Sequence, residues 1–165
     1  MAQQPSTHQG KDMADNVVAR DEFGEALLNG LQALPSNGRL TPEQLEVVYA
    51  LAYAHVAQEQ YAQALPVFAF LAQYGPARKH YLVGLGVCLQ MLGRHEEAIS
   101  IYSLVLTLYP DSLTIALRVA ECQLAARQTD EAQRTLRLVE ASDAPADVRA
   151  RAEALLQLSS REAAS

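Results

Sequence analysis

Apolar and small residues recur at helical spacing along this chain, and their pattern repeats every 34 residues. Two positions of each repeat hold only small residues: Ala52, Gly86 and Ala120 at the first, and Ala64, Ala98 and Ala132 at the second. Four residues after the second small position comes a larger apolar one, in Phe68, Tyr102 and Leu136. Because several independent positions agree in three copies, the pattern predicts three copies of one structural unit.

A 34-residue period with small residues at its eighth and twentieth positions and a large one at its twenty-fourth is typical of tetratricopeptide repeats. Each such repeat is a pair of helices that buries its apolar face only against its neighbours, so the repeats stack into a solenoid. The sequence therefore predicts an all-α fold, a tetratricopeptide-repeat solenoid of three repeats with flanking N- and C-terminal helices.

The same pattern predicts one domain over residues 17–158, between flexible polar tails at residues 1–16 and 159–165. Its parts are an N-terminal helix at 17–34, repeats at 45–78, 79–112 and 113–146, and a capping helix at 147–158. We expect the capping helix because the open end of a solenoid needs a polar outer surface.

Two helix starts carry recognisable capping residues. Thr41 is followed by a proline and, three residues on, by Gln44, which predicts a reciprocal capping box. In the third repeat, Thr129 or Asp130 is expected to cap the second helix.

Within each repeat the two small residues are expected to face each other where the helices cross, because only Gly, Ala or Ser lets the backbones approach there. The large residue at the twenty-fourth position is expected to fill the gap to the next repeat. We therefore interpret Phe68, Tyr102 and Leu136 as architectural residues.

Charge and composition exclude several functions. A net charge of −6 and a pI near 5.2 argue against nucleic-acid binding, which needs a basic surface. No apolar run is long enough for a membrane span, and the polar first residues do not form a secretory signal, so a cytoplasmic location is predicted. Cys88 and Cys122 hold equivalent positions in successive repeats, too far apart for a disulfide.

The sequence offers no candidate active site. His8, His55, His80 and His95 are scattered, and the run from His95 to Glu97 points around a helix instead of converging on a metal ion. No nucleophile–base spacing and no phosphate-binding glycine loop is present. We therefore expect neither an enzyme, nor a cofactor, nor a metal site.

The positions left over for function are those that line the concave surface of a tetratricopeptide solenoid. They are, in the first repeat, Glu46, Tyr49, Tyr53, Val56 and Ala57; in the second, His80, Val83, Val87, Gln90 and Met91; in the third, Thr114, Leu117, Glu121, Leu124 and Ala125. This surface is mostly apolar and includes two tyrosines, which favours an extended peptide with hydrophobic anchors. Two alternatives stay open: a terminal helix of the chain could occupy the groove, or the surface could be a dimer contact.

Four segments of the chain resemble the class II chaperones of bacterial type III secretion systems, which hold translocator proteins. They are LTPEQLEVVYALAY at 40–53, YAQALPVFAFL at 61–71, YLVGLGVCLQMLGRHEEAISIYS at 81–103 and VAECQLAARQTDEAQRTL at 119–136. The short elements VGLGVC and VAEC are more specific than the general repeat pattern. The resemblance covers roughly residues 18–158.

The resemblance implies a non-enzymatic chaperone in a Gram-negative cytoplasm that binds an extended N-terminal segment of each pore-forming translocator. Carried over to this chain, the groove would be lined first by Tyr49, Tyr53 and Tyr61, and then by Val83, Val87 and Met91. Val56 departs from the family, which often has an aromatic residue there, so one anchor pocket is expected to be wider or shallower.

The resemblance also implies a homodimer in the absence of cargo, because the N-terminal helix is often a dimerisation element in this family. That helix would contribute Phe23, Leu27 and Leu31, which lie on one apolar face. Two other functions remain open: a chaperone for a needle- or rod-type secretion subunit, and a generic peptide-binding scaffold. A scaffold for a C-terminal carboxylate is disfavoured, because the concave positions lack a cluster of Lys, Arg and Asn.

Overall fold

The computed structural model describes residues 40–165, which form seven helices and no strand. In chain order they are α1 (Pro42–Ala57), α2 (Tyr61–Tyr74), α3 (Lys79–Met91), α4 (His95–Leu108), α5 (Leu113–Ala125), α6 (Thr129–Glu140) and α7 (Ala146–Ala163). This confirms the predicted all-α fold with three helix pairs followed by a C-terminal helix. The predicted tail at 1–16 and helix at 17–34, with Phe23, Leu27 and Leu31, lie outside the described residues.

The chain divides into two compact units, one ending at Leu71 and the other beginning at Ala72. In the first unit, α1 starts with the predicted capping box. The Gln44 backbone N–H donates to Thr41 Oγ1 at 3.2 Å, and the Thr41 N–H donates to Gln44 Oε1 at 2.9 Å. The core of this unit includes the buried side chains of Val67 and Phe68.

In the second unit each helix from α3 to α7 packs against the next one, and α5 also contacts α7. The helix α7 therefore lies against the third repeat much as another first helix would. The core at this end is built from α5, α6, α7 and the loop before α7, and its buried members are Leu117, Ala120, Leu136, Val139, Ala144, Val148 and Ala152.

The turn inside each repeat has the same backbone geometry. Glu59, Gly93 and Arg127 are spaced by one repeat and all adopt left-handed backbone, with φ of 57°, 76° and 61°. In each turn the following residue donates its N–H to a carbonyl five residues earlier, for example Gln128 to Gln123 at 2.8 Å. This hydrogen bond closes the first helix and redirects the chain into the second.

Two local predictions are wrong. Thr129 and Asp130 do not cap α6, which begins at Thr129 after Gln128 with no side-chain cap, because the left-handed turn at Arg127 brings the chain directly into the helix. The predicted tail at 159–165 begins too early, since α7 continues to Ala163 and Ser159 is buried. The Ser159 hydroxyl donates to the Leu156 carbonyl and accepts from the Gln133 amide of α6, so a polar residue is satisfied inside the interface.

Candidate binding surface

In the first unit the predicted aromatic positions lie side by side on α1. The rings of Tyr49 and Tyr53 have centroids 6.2 Å apart, and Tyr49 also meets the ring of Phe68 edge-on at 6.0 Å. Tyr53 is 59% exposed, whereas Tyr49, Val56 and Tyr61 are half-buried. Burial, with smaller contributions from the charges of Tyr53 and Glu46, raises the pKa of Tyr49. Tyr49 therefore packs against the core, and Tyr53 beside it is open to solvent.

In the second unit the predicted positions on α3 form a partly open apolar strip. Val83 and Val87 are half-buried, Met91 is 53% exposed and His80 is exposed. Gln90 is half-buried and is engaged in hydrogen bonds to neighbouring helices. Val83, Val87 and Met91 thus provide apolar contact area beside the Gln90 side-chain amide, whose position is fixed by its hydrogen bonds.

The predicted positions on α5 have a different environment. Leu117 is 6% exposed and belongs to the core that α7 closes, so it contributes packing and little open surface. Glu121 is paired with Arg151 of α7, whose Nε lies 2.6 Å from Glu121 Oε1. The C-terminal helix α7 therefore packs on the third repeat and encloses Leu117.

A continuous chain of hydrogen bonds crosses the second unit at these positions. The Tyr102 hydroxyl of α4 donates to Gln90 Oε1 at 2.9 Å, and Arg118 Nη1 donates to the same oxygen at 3.3 Å. The Gln90 amide nitrogen in turn donates to Glu121 Oε2 at 3.4 Å, and Glu121 accepts from Arg151. We call Gln90, Arg118, Glu121 and Arg151 the polar row.

Sequence reasoning found only two members of the polar row. Gln90 and Glu121 occupy standard concave positions, whereas Arg118 does not, and Arg151 lies beyond the three repeats on α7, one 34-residue period after the concave position of Leu117. The separations are a usable signal: Gln90 and Glu121 are 31 residues apart, and Glu121 and Arg151 are 30 apart, close to one repeat. Complementary polar groups at that spacing are candidates for contact between successive first helices.

A cleft of about 320 Å³ lies between α5 and α7 beside the polar row. It is lined by Thr114, Leu117, Arg118, Glu121, Asp147, Val148 and Arg151. Two arginines and two carboxylates balance in charge there, so the cleft suits a neutral polar group better than an ion.

The two cysteines are unpaired and fully buried. Burial raises the pKa of the Cys88 thiol to about 12 and that of Cys122 to about 11, with the Glu121 charge adding to the latter. Among residues 40–165, no three His, Cys, Asp or Glu side chains come together as a metal site would require. No helix in that same range has the length and apolarity needed to cross a bilayer.

Comparison with known proteins supports the repeat assignment. Two models described as tetratricopeptide repeat match the chain, at residues 49–112 and 89–157. The low calcium response locus protein H of Yersinia pestis is 27% identical over 116 residues, covering 70% of this chain and 69% of that protein.

Solved structures share the same fold. PcrH of Pseudomonas aeruginosa, in complex with the chaperone binding region of PopD, is 27% identical with a TM-score of 0.69, over 74% of this chain and 96% of PcrH. The type III secretion translocator chaperone SycD of Yersinia enterocolitica is 24% identical with a TM-score of 0.70, over 77% of this chain and 90% of SycD. SycD has also been solved with a peptide of the translocator YopD and as an alternative dimer.

These matches confirm the resemblance drawn from the sequence. The chain belongs to the tetratricopeptide-repeat family, and its homologues there are class II translocator chaperones of type III secretion systems.

Proposed function

We propose that this protein is a non-catalytic chaperone of a type III secretion system in a bacterial cytoplasm. It binds an extended segment near the N-terminus of hydrophobic translocator proteins and keeps them soluble and competent for secretion. The observation that carries the proposal is the homology to PcrH, which was crystallised with the chaperone binding region of PopD.

The side chains at the predicted concave positions support peptide binding. Tyr53 in the first unit and Met91 in the second both expose more than half of their surface. Aromatic and methionine side chains give large contact areas in peptide interfaces, and methionine adapts to differently shaped ligands. We propose that Tyr49, Tyr53, Val56 and Tyr61 of the first unit, and His80, Val83, Val87, Gln90, Met91 and Glu121 of the second, contribute to binding. Leu117, expected there from the sequence, is enclosed in the core and is left out of the proposed site.

The physical need for such a chaperone follows from its cargo. A translocator carries apolar segments that insert into membranes, and in water those segments aggregate. Occupying part of the translocator with a soluble partner suppresses aggregation. Moderate affinity with a short residence time suffices, because secretion must strip the chaperone away.

The test is co-purification with each hydrophobic secreted protein encoded beside this gene, read by size-exclusion chromatography and mass spectrometry. We expect a soluble complex that is weakened by Tyr53→Ala and by Met91→Ala. These two residues are preferred to Tyr49, because Tyr49 also packs on Phe68 and its loss would disturb the core.

Leu138→Ala is the matched control, since Leu138 is 74% exposed on α6, a second helix of its repeat. Its complex should be as abundant as that of the wild type. Recovery of a small helical needle-type subunit instead would favour the alternative secretion function. The absence of any secreted partner would leave only a peptide-binding scaffold.

We also propose that the protein is a homodimer without cargo, through Phe23, Leu27 and Leu31. The support is the apolar face predicted from the sequence and the dimer seen for SycD. Phe23→Glu combined with Leu27→Glu should convert the dimer to a monomer in sedimentation equilibrium. An unchanged mass would remove this segment from the interface.

A further inference from the structure

Three alternate helices of the second unit, α3, α5 and α7, each contribute one polar residue to a connected line. Gln90 lies on α3, Glu121 on α5 and Arg151 on α7, and direct hydrogen bonds join the first to the second and the second to the third. Arg118 of α5 also donates a hydrogen bond to Gln90 Oε1 and so helps to fix the Gln90 side chain. The polar row therefore crosses the surface at an angle to the helices, next to the apolar side chains of α3.

The row holds its side chains in place while leaving hydrogen-bonding capacity unused. Gln90 Oε1 accepts twice and its amide nitrogen donates once, so one amide hydrogen is left over. Arg151 uses one donating nitrogen in contacts among residues 40–165, of the three that a guanidinium offers, whereas Arg118 donates to Gln90 and also interacts with the Tyr102 hydroxyl. Glu121 keeps lone pairs on both of its oxygens beyond the two contacts it makes.

The polarity of the row matches a peptide main chain. Neighbouring helices are separated by about 8–10 Å, so a row across three helices spans roughly 16–20 Å. An extended peptide rises about 3.3 Å per residue, so about five or six residues would lie along it. A main chain alternates donors and acceptors over that length, and the row offers both.

Hydrogen bonds to the peptide main chain become important once the peptide is buried against the protein. A peptide that places apolar side chains against Val83 and Val87 loses water from its own N–H and C=O groups. A buried main-chain group that loses water and gains no hydrogen-bond partner weakens binding. Arg151 is 64% exposed and Glu121 only 19%, so a largely buried carboxylate holds a guanidinium whose side chain stays mostly open to solvent.

We propose that the polar row binds the main chain of the extended cargo segment, and that the C-terminal helix α7 belongs to the binding surface through Arg151. The inference rests on the proposed function, whose apolar positions provide the anchors. The row then fixes the register of a segment whose side chains vary, because every residue offers the same main-chain groups.

The experiment uses the full chain and labelled peptides that tile the N-terminal part of the hydrophobic protein recovered by co-purification. The best binding peptide is resynthesised with single amide-to-ester replacements, each of which removes one N–H donor and leaves the side chains unchanged. We expect one or two replacements to weaken binding to the wild type roughly tenfold. The same replacements should have no effect on the Glu121→Leu variant.

Arg151→Ala tests the contribution of α7, with Arg161→Ala on the same helix as its control. Binding should fall severalfold for Arg151→Ala only, while thermal melting of the two variants stays similar. Esters that all bind as tightly as the parent peptide would overturn the inference, as would an ester effect that persists in Glu121→Leu. Loss of affinity only on replacing an acidic side chain of the peptide would assign the row to charge recognition and would equally overturn it.

Failure of the proposed function has a different signature. In that case no tiling peptide binds the wild type, and the inference falls with it. A different outcome is also informative. If Tyr53→Ala and Met91→Ala weaken binding while Arg151→Ala and every ester leave the affinity unchanged, the chaperone function is supported and the polar row has no part in binding.

Discussion

The ring of Tyr102 lies directly over Gly86, so closely that a Cβ atom on Gly86 would be 2.4 Å from Cε1 of that ring. Both residues are fully enclosed, and the Tyr102 hydroxyl is held by Gln90. The small eighth-position residue of this repeat is therefore required by the large residue at the twenty-fourth position. The prediction that it faces Ala98 did not identify this nearest neighbour.

Replacing Gly86 should destabilise the protein through this contact. Gly86→Ala should lower the free energy of unfolding by about 1–3 kcal/mol, and Gly86→Leu by more, because the ring cannot move within a packed core. Urea unfolding followed by circular dichroism measures the change. Ala125→Leu, at an exposed position of α5, is the control and should leave stability nearly unchanged.

A second substitution identifies the cause. In Gly86→Ala combined with Tyr102→Leu, the added methyl group no longer meets a ring. The cost of Gly86→Ala measured in the Tyr102→Leu background should therefore be much smaller than in the wild type. Equal costs in both backgrounds would rule out the ring contact as the reason.

The three repeat turns predict stabilising substitutions. Glu59 and Arg127 adopt the left-handed backbone that Gly93 adopts at the equivalent position, and residues with a Cβ are strained there. Glu59→Gly and Arg127→Gly should each raise the free energy of unfolding by up to about 1 kcal/mol. Gly93→Ala should lower it, although nothing lies within 4 Å of the added Cβ, because its cost is purely conformational. A stabilising Gly93→Ala would contradict this account.

The buried thiols should be chemically silent in the native protein. Cys88 and Cys122 are fully enclosed, and their pKa values near 12 and 11 keep them protonated at neutral pH. We expect no rapid reaction with Ellman's reagent until denaturant is added, when both should react. Ser100→Cys, at an exposed site on α4, should react at once and serves as the positive control.

The ion pair at the start of α4 predicts a small pH effect. Hydrogen bonds from Arg94, at 2.7 Å and 2.6 Å, lower the pKa of Glu97. A lowered carboxyl pKa stabilises the fold above the pKa of the unfolded chain, and this contribution is lost as pH falls through the folded value. Glu97→Gln should therefore be less stable than the wild type at pH 7, by no more than about 1 kcal/mol because the pair is exposed.

The difference between wild type and Glu97→Gln should close as the pH is lowered below the usual carboxyl range. Thermal melts of both proteins between neutral and acidic pH measure it. A stability difference that persists unchanged in acid would assign the effect to helix propensity instead of charge.

Much of the fold could be predicted from the sequence because repeats constrain each other. The helix pairs, the enclosed small residues such as Ala98 and Ala132, and the capping box at Thr41 all follow from local spacing and short-range hydrogen bonding. The start of α6 could not be predicted in the same way. Its position depends on the turn at Arg127, where a charged residue adopts a backbone conformation that usually signals glycine.

The candidate surface could be predicted only in part. The repeat positions identified Tyr53 and Met91 as surface residues, because the exposure of each depends mainly on where it lies on its own helix. They could not identify that Leu117 is enclosed or that Glu121 is paired, because both depend on α7, which follows the last full repeat.

The sequence by itself determined the repeat unit, the seven described helices and the family, since these depend on periodic patterns that local physics enforces. The tertiary structure decided where the C-terminal helix lies, and with it the polar row and the length of α7. Contacts such as that of Glu121 with Arg151 join residues 30 positions apart, and the direction in which such long side chains reach is set by packing between helices.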